Sequence, residues 1–164
     1  MNNKLLQVTS EQKSYISGFL DGDGCILAQI VRQSCSPYGF QIRVGIHFYQ
    51  KTSRSWHLEG LKKMLGYGTI RKRPDGISEY SIVGFSAVKL ILEALLPHII
   101  MKRKLASLVL QIIELHSKVQ TADDFLQVCY LVDKSAILRD SKRRTLTALV
   151  VQSYLSIPVE TEAK

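Results

Sequence analysis

Apolar residues recur at helical spacing at Tyr15, Ile16, Phe19 and Leu20, behind Thr9-Ser10-Glu11-Gln12, where Thr9 and Gln12 stand at capping-box separation. This predicts a helix that ends at Gly22-Asp23-Gly24, with the two glycines permitting the turn. From Cys25 onward the period changes to two. Residues 25–33 and 41–50 read as strands of a hairpin joined through the Ser/Pro/Gly stretch 34–39. In the second strand Ile42, Val44, Ile46 and Phe48 share one face, and Gln41, Arg43, Gly45 and His47 share the other. The first strand turns Ile26, Ala28 and Ile30 inward and Leu27, Gln29, Val31 and Gln33 outward. A helix over residues 53–65 carries Trp56, Leu58, Leu61 and Met64.

The pattern then repeats in outline. Residues 69–73 and 77–83 form a second hairpin around Pro74-Asp75-Gly76, with Ile70, Tyr80 and Ile82 inward and Arg71, Arg73, Glu79 and Ser81 outward. Ser86 is expected to cap a helix running to about residue 96, ended by Pro97. Three more helices follow, over residues 102–116, 122–138 behind a cap at Thr121, and 142–155. Residues 156–164 hold too little apolar surface to pack and read as a loose tail, which leaves residues 1–155 as one α+β domain.

Composition narrows the class of partner. Lys and Arg number 22 against 14 Asp and Glu, a formal charge of +8 that suits a polyanion. Charge alone leaves DNA, RNA and an acidic membrane surface open. The three cysteines, Cys25, Cys35 and Cys129, form no Cys-x-x-Cys pair, so neither a disulfide framework nor a zinc site is indicated. The apolar stretch 83–101 is interrupted by Ser86, Lys89, Glu93 and Pro97, which argues against a membrane span.

The chemistry starts at Asp23. A carboxylate at the negative end of a helix dipole is poorly placed alone and better placed if a cation joins it, although Asp-Gly is also a common acidic turn. The run Ile16-Ser17-Gly18-Phe19-Leu20-Asp21-Gly22-Asp23-Gly24 resembles the LAGLIDADG motif of homing endonucleases, with Gly18, Asp21, Asp23 and Gly24 identical to the consensus and Ser17 a small replacement for Ala. The αββαββα order, with additional C-terminal helices, extends the resemblance over nearly the whole chain. It implies a four-stranded antiparallel saddle per subunit, laid over the DNA major groove. With one motif copy, it implies the single-motif, homodimeric branch of the family encoded by group I introns of green-algal chloroplasts. Location in a chloroplast or mitochondrion follows only from that resemblance.

The resemblance also assigns roles. Asp23 and the Gly22 carbonyl are expected to hold Mg²⁺, which Mn²⁺ replaces, while Ca²⁺ supports binding without cleavage. Gln50 is expected to position water, Arg54 to order solvent around the metal, and Lys102 to activate water or stabilise developing charge, with Lys104 as its rival. Ser17, Gly18 and Asp21 are expected at a two-fold helix interface, although small residues equally suit packing within one chain, and Asp21 to cap and brace the helix pair. Gln29, Gln33, Gln41, Arg43, His47, Arg71, Arg73 and Glu79 are expected to face double-stranded DNA, where Arg suits guanine and Gln adenine. Ser141, Lys142 and Arg143, beside Arg139 and Arg144, are expected on the phosphate backbone. His57, His98 and His116 are read as structural. The activity implied is a metal-dependent double-strand break at a long, roughly palindromic site. An RNA-binding intron maturase and a non-catalytic DNA-binding protein are the alternatives.

Overall fold

The computed structural model describes residues 3–139, 144 and 146–156. Helix α1 (Ser10–Asp23) runs into strand β1 (Gly24–Arg32), followed by β2 (Phe40–Lys51), α2 (Ser55–Leu65), β3 (Thr69–Lys72), β4 (Ile77–Val83) and α3 (Phe85–Leu95). Helices α4 (Arg103–His116), α5 (Ala122–Ile137) and α6 (Ala148–Ser156) complete the described chain. The four strands form one antiparallel sheet in the order β1-β2-β4-β3.

The α1 capping box is present in full: Gln12 N donates to Thr9 Oγ1 at 3.2 Å and Thr9 N to Gln12 Oε1 at 2.9 Å. The expected turn glycines act differently. Gly24 is extended, at φ −102° and ψ 172°, so the helix passes straight into β1 without a left-handed residue. Space is what Gly24 supplies, because a Cβ there would lie 2.6 Å from Leu20 Cδ1 and 2.8 Å from Leu20 Cα. Tyr15, read from its spacing as part of the apolar stripe, is exposed; Ile16, Ser17, Leu20 and Asp21 are the buried face.

Alternation placed the strands well. Register pairs Gly24 with Phe48, Ile30 with Ile42 and Ile46 with Ile82. Ile26, Ala28, Val44, Ile46, Phe48, Tyr80 and Ile82 are buried beneath the sheet against Ile16, Leu20, Ile91, Leu92 and Leu95 from the helices. Burying a large aliphatic side chain contributes about 2 kcal/mol, so this layer dominates the stability. Gln33 and Arg73 fall just beyond their strands, with Gln33 N donating to Gly39 O and Arg73 N to Ile77 O.

Two helix starts need correction. Gly84, at φ 98°, precedes α3 with no side-chain cap, so the reversal out of β4 comes from a residue without Cβ and not from Ser86. Helix α6 begins at Ala148 and not at 142; its first amide donates to Asp133 Oδ2 at 3.0 Å. A short 3-10 turn, Thr52–Arg54, also opens the segment read as helix from 53. The expected tail 156–164 lies almost wholly outside the described residues.

Candidate active site and nucleic-acid interface

The end of α1 is fixed by a buried carboxylate. Asp21 Oδ2 accepts from the amides of Ile100 at 2.9 Å and Met101 at 3.1 Å, and Oδ1 from Lys102 N at 3.0 Å. Burial opposes ionisation of Asp21, but these three amides and the Lys102 charge outweigh it and hold the carboxyl below its ordinary value. Asp21 therefore satisfies the amides of the turn 100–102 that leads into α4, from a different helix. Lys102 returns the tie: its Nζ donates to Leu20 O at 2.9 Å and Asp21 O at 2.6 Å, placing a cation on the negative end of α1.

Two residues further on, Asp23 is exposed and makes no hydrogen bond or ion pair among the described residues. Gly22 beside it is equally open. The strand register carries Gln50 two residues past Phe48, the partner of Gly24, and so to the same end of the sheet as Asp23. There Arg54 Nε donates to Gln50 Oε1 at 2.8 Å. A free carboxylate, a carbonyl, an amide, a guanidinium and an ammonium thus gather where α1 meets β1. Asp23 and the Gly22 carbonyl are hard oxygen donors that fit Mg²⁺. Among the described residues, no group of three or more His, Cys, Asp or Glu could hold a metal ion.

Of the residues expected at an interface between chains, Ser17 and Asp21 are turned into their own chain, and Ser17 Oγ donates to Leu95 O at 3.3 Å. Gly18 alone of the three faces outward, with Gly22 one turn on; a Cβ at either would meet nothing within 4 Å. Around them lies a patch that the sequence reading missed: Tyr15, Trp56, Ile100 at 82 % and Met101 at 78 % exposure. The available signal was the Ile99-Ile100-Met101 run, too apolar for a loop. His57 joins this patch, with Nε2 2.6 Å from Tyr15 Oη, its ring edge-on to Phe19 and Trp56, and its Nδ1 buried without a partner among the described residues.

On the outward sheet face, Gln29 and Arg43 are exposed, and Gln41 Oε1 accepts from Arg43 Nε at 2.8 Å in the amide orientation that satisfies both groups. Arg71 is 74 % exposed and its Nη2 donates to Glu79 Oε2 at 3.2 Å. Arg73 pairs with Asp75 at 2.7 Å in the turn. His47 and Glu79, expected to project toward a ligand, are only 13 % and 14 % exposed in their side chains and are tied to each other at 3.0 Å and to Ser81. Burial opposes ionisation of Glu79, but the bonds from Ser81 and His47 and the charges of His47 and Arg71 hold its carboxyl low.

At the outer edge of β1, a cavity of about 400 Å³ is lined by Arg32, Arg139 and Arg144 and borders Gln29. Arg139 Nε is buried there without a hydrogen-bond partner among the described residues, and burial, together with the Arg144 charge, disfavours its cation. Arg144 is held by Asp133 at 2.9 Å, and Arg32 lies 5.2 Å over the Phe40 ring. Ser141, Lys142 and Arg143 lie outside the described residues. His98 Nδ1 meets Ser14 Oγ at 2.9 Å and His116 stacks on Phe85. No helix among the described residues is long and apolar enough to cross a membrane.

Residues 16–115 match the LAGLIDADG endonuclease family. The chain is 40 % identical over 142 residues to DNA endonuclease I-CvuI of Chlorella vulgaris, covering 87 % of this chain and 88 % of that one. To DNA endonuclease I-CreI of Chlamydomonas reinhardtii it is 39 % identical, covering 86 % of each. Among solved structures, I-CvuI in complex with its target in the presence of calcium superposes with a TM-score of 0.84 at 37 % identity, covering 93 % of this chain and 94 % of that one. I-CvuI with the I-CreI target in the presence of magnesium, its DNA not cleaved, gives 0.85 at 37 % identity, covering 94 % and 96 %.

Proposed function

Because the chain belongs to the LAGLIDADG endonuclease family, we propose that it is a site-specific homing endonuclease, intron-encoded, that makes a metal-dependent double-strand break in a long pseudo-palindromic DNA target. One observation carries the reading beyond family membership. The Asp21–Lys102 lock presents Asp23, exposed and without a partner among the described residues, at the junction that also holds Gln50 and Arg54. Asp23 and the Gly22 carbonyl would hold Mg²⁺, or Mn²⁺ in its place, with the remaining oxygens coming from phosphate and a second chain. When bound, the ion polarises the phosphate and lowers the pKa of attacking water. Ca²⁺ supports binding without cleavage. In this reading Gln50 orients water through its amide, Arg54 fixes Gln50, and the Lys102 ammonium opposes charge developing at the phosphate.

A homodimer completes the proposal. Gly18 and Gly22 allow close helix approach, and Tyr15, Trp56, Ile100 and Met101 around them are apolar surface that a second copy would cover. The outward sheet face, with Gln29, Gln41, Arg43 and Arg71 at its surface, would read base edges. The Arg32–Arg139–Arg144 cavity beside it would take backbone phosphate, as would Ser141, Lys142 and Arg143, which lie outside the described residues. A chloroplast or mitochondrial setting belongs to the same proposal.

The test is to incubate the purified protein with a randomised duplex library in Mg²⁺ and in Ca²⁺, sequencing the cut and the retained molecules. Discrete Mg²⁺-dependent cuts inside a palindromic consensus are expected, with retention alone in Ca²⁺. Retention without cutting in Mg²⁺ would instead make the protein a DNA-binding regulator. Neither cutting nor retention would end the DNA reading and turn attention to intron RNA.

A further inference from the structure

Gly45 and His47 are two residues apart on β2 and share the outward face of the sheet. The His47 ring lies back along the strand over Gly45: a Cβ built on Gly45 would stand 2.6 Å from His47 Nε2 and 3.4 Å from Cδ2. At its other edge, Nδ1 sits 2.9 Å from Ser81 Oγ and 3.0 Å from Glu79 Oε1, both on β4. Ser81 is the cross-strand partner of His47 in the register, so the anchor is built into the sheet. The Tyr49 ring lies nearly parallel to the imidazole, at 12° and 6.4 Å. The histidine is thus drawn down onto the sheet from both ends, and Arg71 is the side chain of this cluster that reaches outward.

We infer that Gly45 is a determinant of target preference, acting by leaving the space in which His47 lies withdrawn from the groove. The inference rests on the DNA-cleaving reading above and adds to it a residue with no side chain of its own to offer a base. Any side chain at position 45 must displace the imidazole. The neighbour that must give way is the far end of a side chain with two free torsions, whereas the next nearest atom, Ile82 O, is at an ordinary 3.5 Å. The sheet therefore tolerates the substitution, and the imidazole rises off its anchors into the groove. There its ring nitrogens act as a new donor or acceptor toward a base edge.

The experiment compares target preference, by cleavage of a library randomised around the preferred site, for the wild type, Gly45→Ala, His47→Ala and the double variant. Gly45→Ala should shift preference about tenfold at one base position in each half-site, the low end of a single good base contact. The double variant should lack that shift and match His47→Ala. An unchanged profile for Gly45→Ala, or a shift that survives in the double variant, overturns the inference. Acylation of His47 by diethyl pyrocarbonate in the DNA-free wild type, followed by mass spectrometry, tests the geometry without any substitution. Slow modification relative to a free imidazole is expected, and modification at the free rate overturns the inference even if Gly45→Ala fails to fold. If the wild type cuts no DNA, the functional proposal falls, while the acylation rate still decides whether the ring lies down over Gly45.

Discussion

Asp21 and Asp23 are two residues apart on one helix, of one residue type, and the fold gives them opposite lives. Asp21 is buried, accepts three backbone amides and is held ionised below its ordinary value against the cost of burial. Asp23 faces outward with no partner among the described residues, at the helix end where a lone carboxylate is least comfortable. A step of two residues along a helix turns a side chain through roughly half a circle, which is enough to send one carboxylate inward and the other out. The charge of the first holds the structure together, and that of the second is left open at the surface. The sequence motif is a single unit, yet its two acids do separate work: one builds the junction and the other is presented by it.

The comparison is broken most severely by exchanging the phenotypes. Asp23→Asn should abolish Mg²⁺-dependent cleavage while leaving the thermal midpoint at or slightly above wild type, because it removes an unpaired negative charge from a helix C-terminus. Retained cleavage, measured on a plasmid carrying the preferred site, would remove Asp23 from the reactive centre. Asp21→Ala should instead cost about 3 kcal/mol in urea unfolding, since it strands part-buried amides that were bonded to a charge. The same residue gives a pH signature. Its carboxyl is depressed in the folded state, so its contribution is fully present above the ordinary value of 3.8 and is lost as pH falls through the lower folded value. The stability gap between wild type and Asp21→Ala should therefore close on acidification below about pH 4; a gap that is constant with pH would mean that the ionised form is not what holds α4.

How far the sequence revealed this depends on the distance over which a residue acts. The strands were legible because a half-buried sheet writes its two faces into alternate positions, and Ile42, Val44, Ile46 and Phe48 obey that rule. The Thr9 and Thr121 caps were legible because their partners are three residues away. Ser86 misled because a hydroxyl before a helix resembles a cap, whereas the backbone reversal at Gly84 leaves no mark except the glycine itself. Asp21 was expected to cap and brace a helix pair; it does hold the turn that leads into a helix, but one of its own chain, and its partners lie about 80 residues along the sequence, where no local pattern connects them to it. His47 was read as reaching outward because parity put it on the right face. What lays it down is an absent Cβ at Gly45 together with two side chains on another strand, and neither is visible from its own neighbourhood.

Lys102 serves both aspartates: its amide bonds the Asp21 carboxylate, and its ammonium bonds the last carbonyls before Gly22 and Asp23. Lys102→Met keeps the amide and the length of the side chain and deletes only the ammonium. Stability should fall by about 1 kcal/mol, the value of the lost side-chain hydrogen bonds net of water, which is well short of the loss from Asp21→Ala. Cleavage should fall about 100-fold, as for loss of one positioned proton-transfer or charge-stabilising group, without the complete loss expected from Asp23→Asn. Lys104→Met is the matched control, because Lys104 is exposed two residues further along α4 and makes no hydrogen bond or ion pair with α1 among the described residues; it should move neither quantity beyond the scatter of a surface substitution. The reverse result, with Lys104→Met losing cleavage and Lys102→Met losing only stability, would confine Lys102 to the structural side of the junction and give the reactive charge to its neighbour.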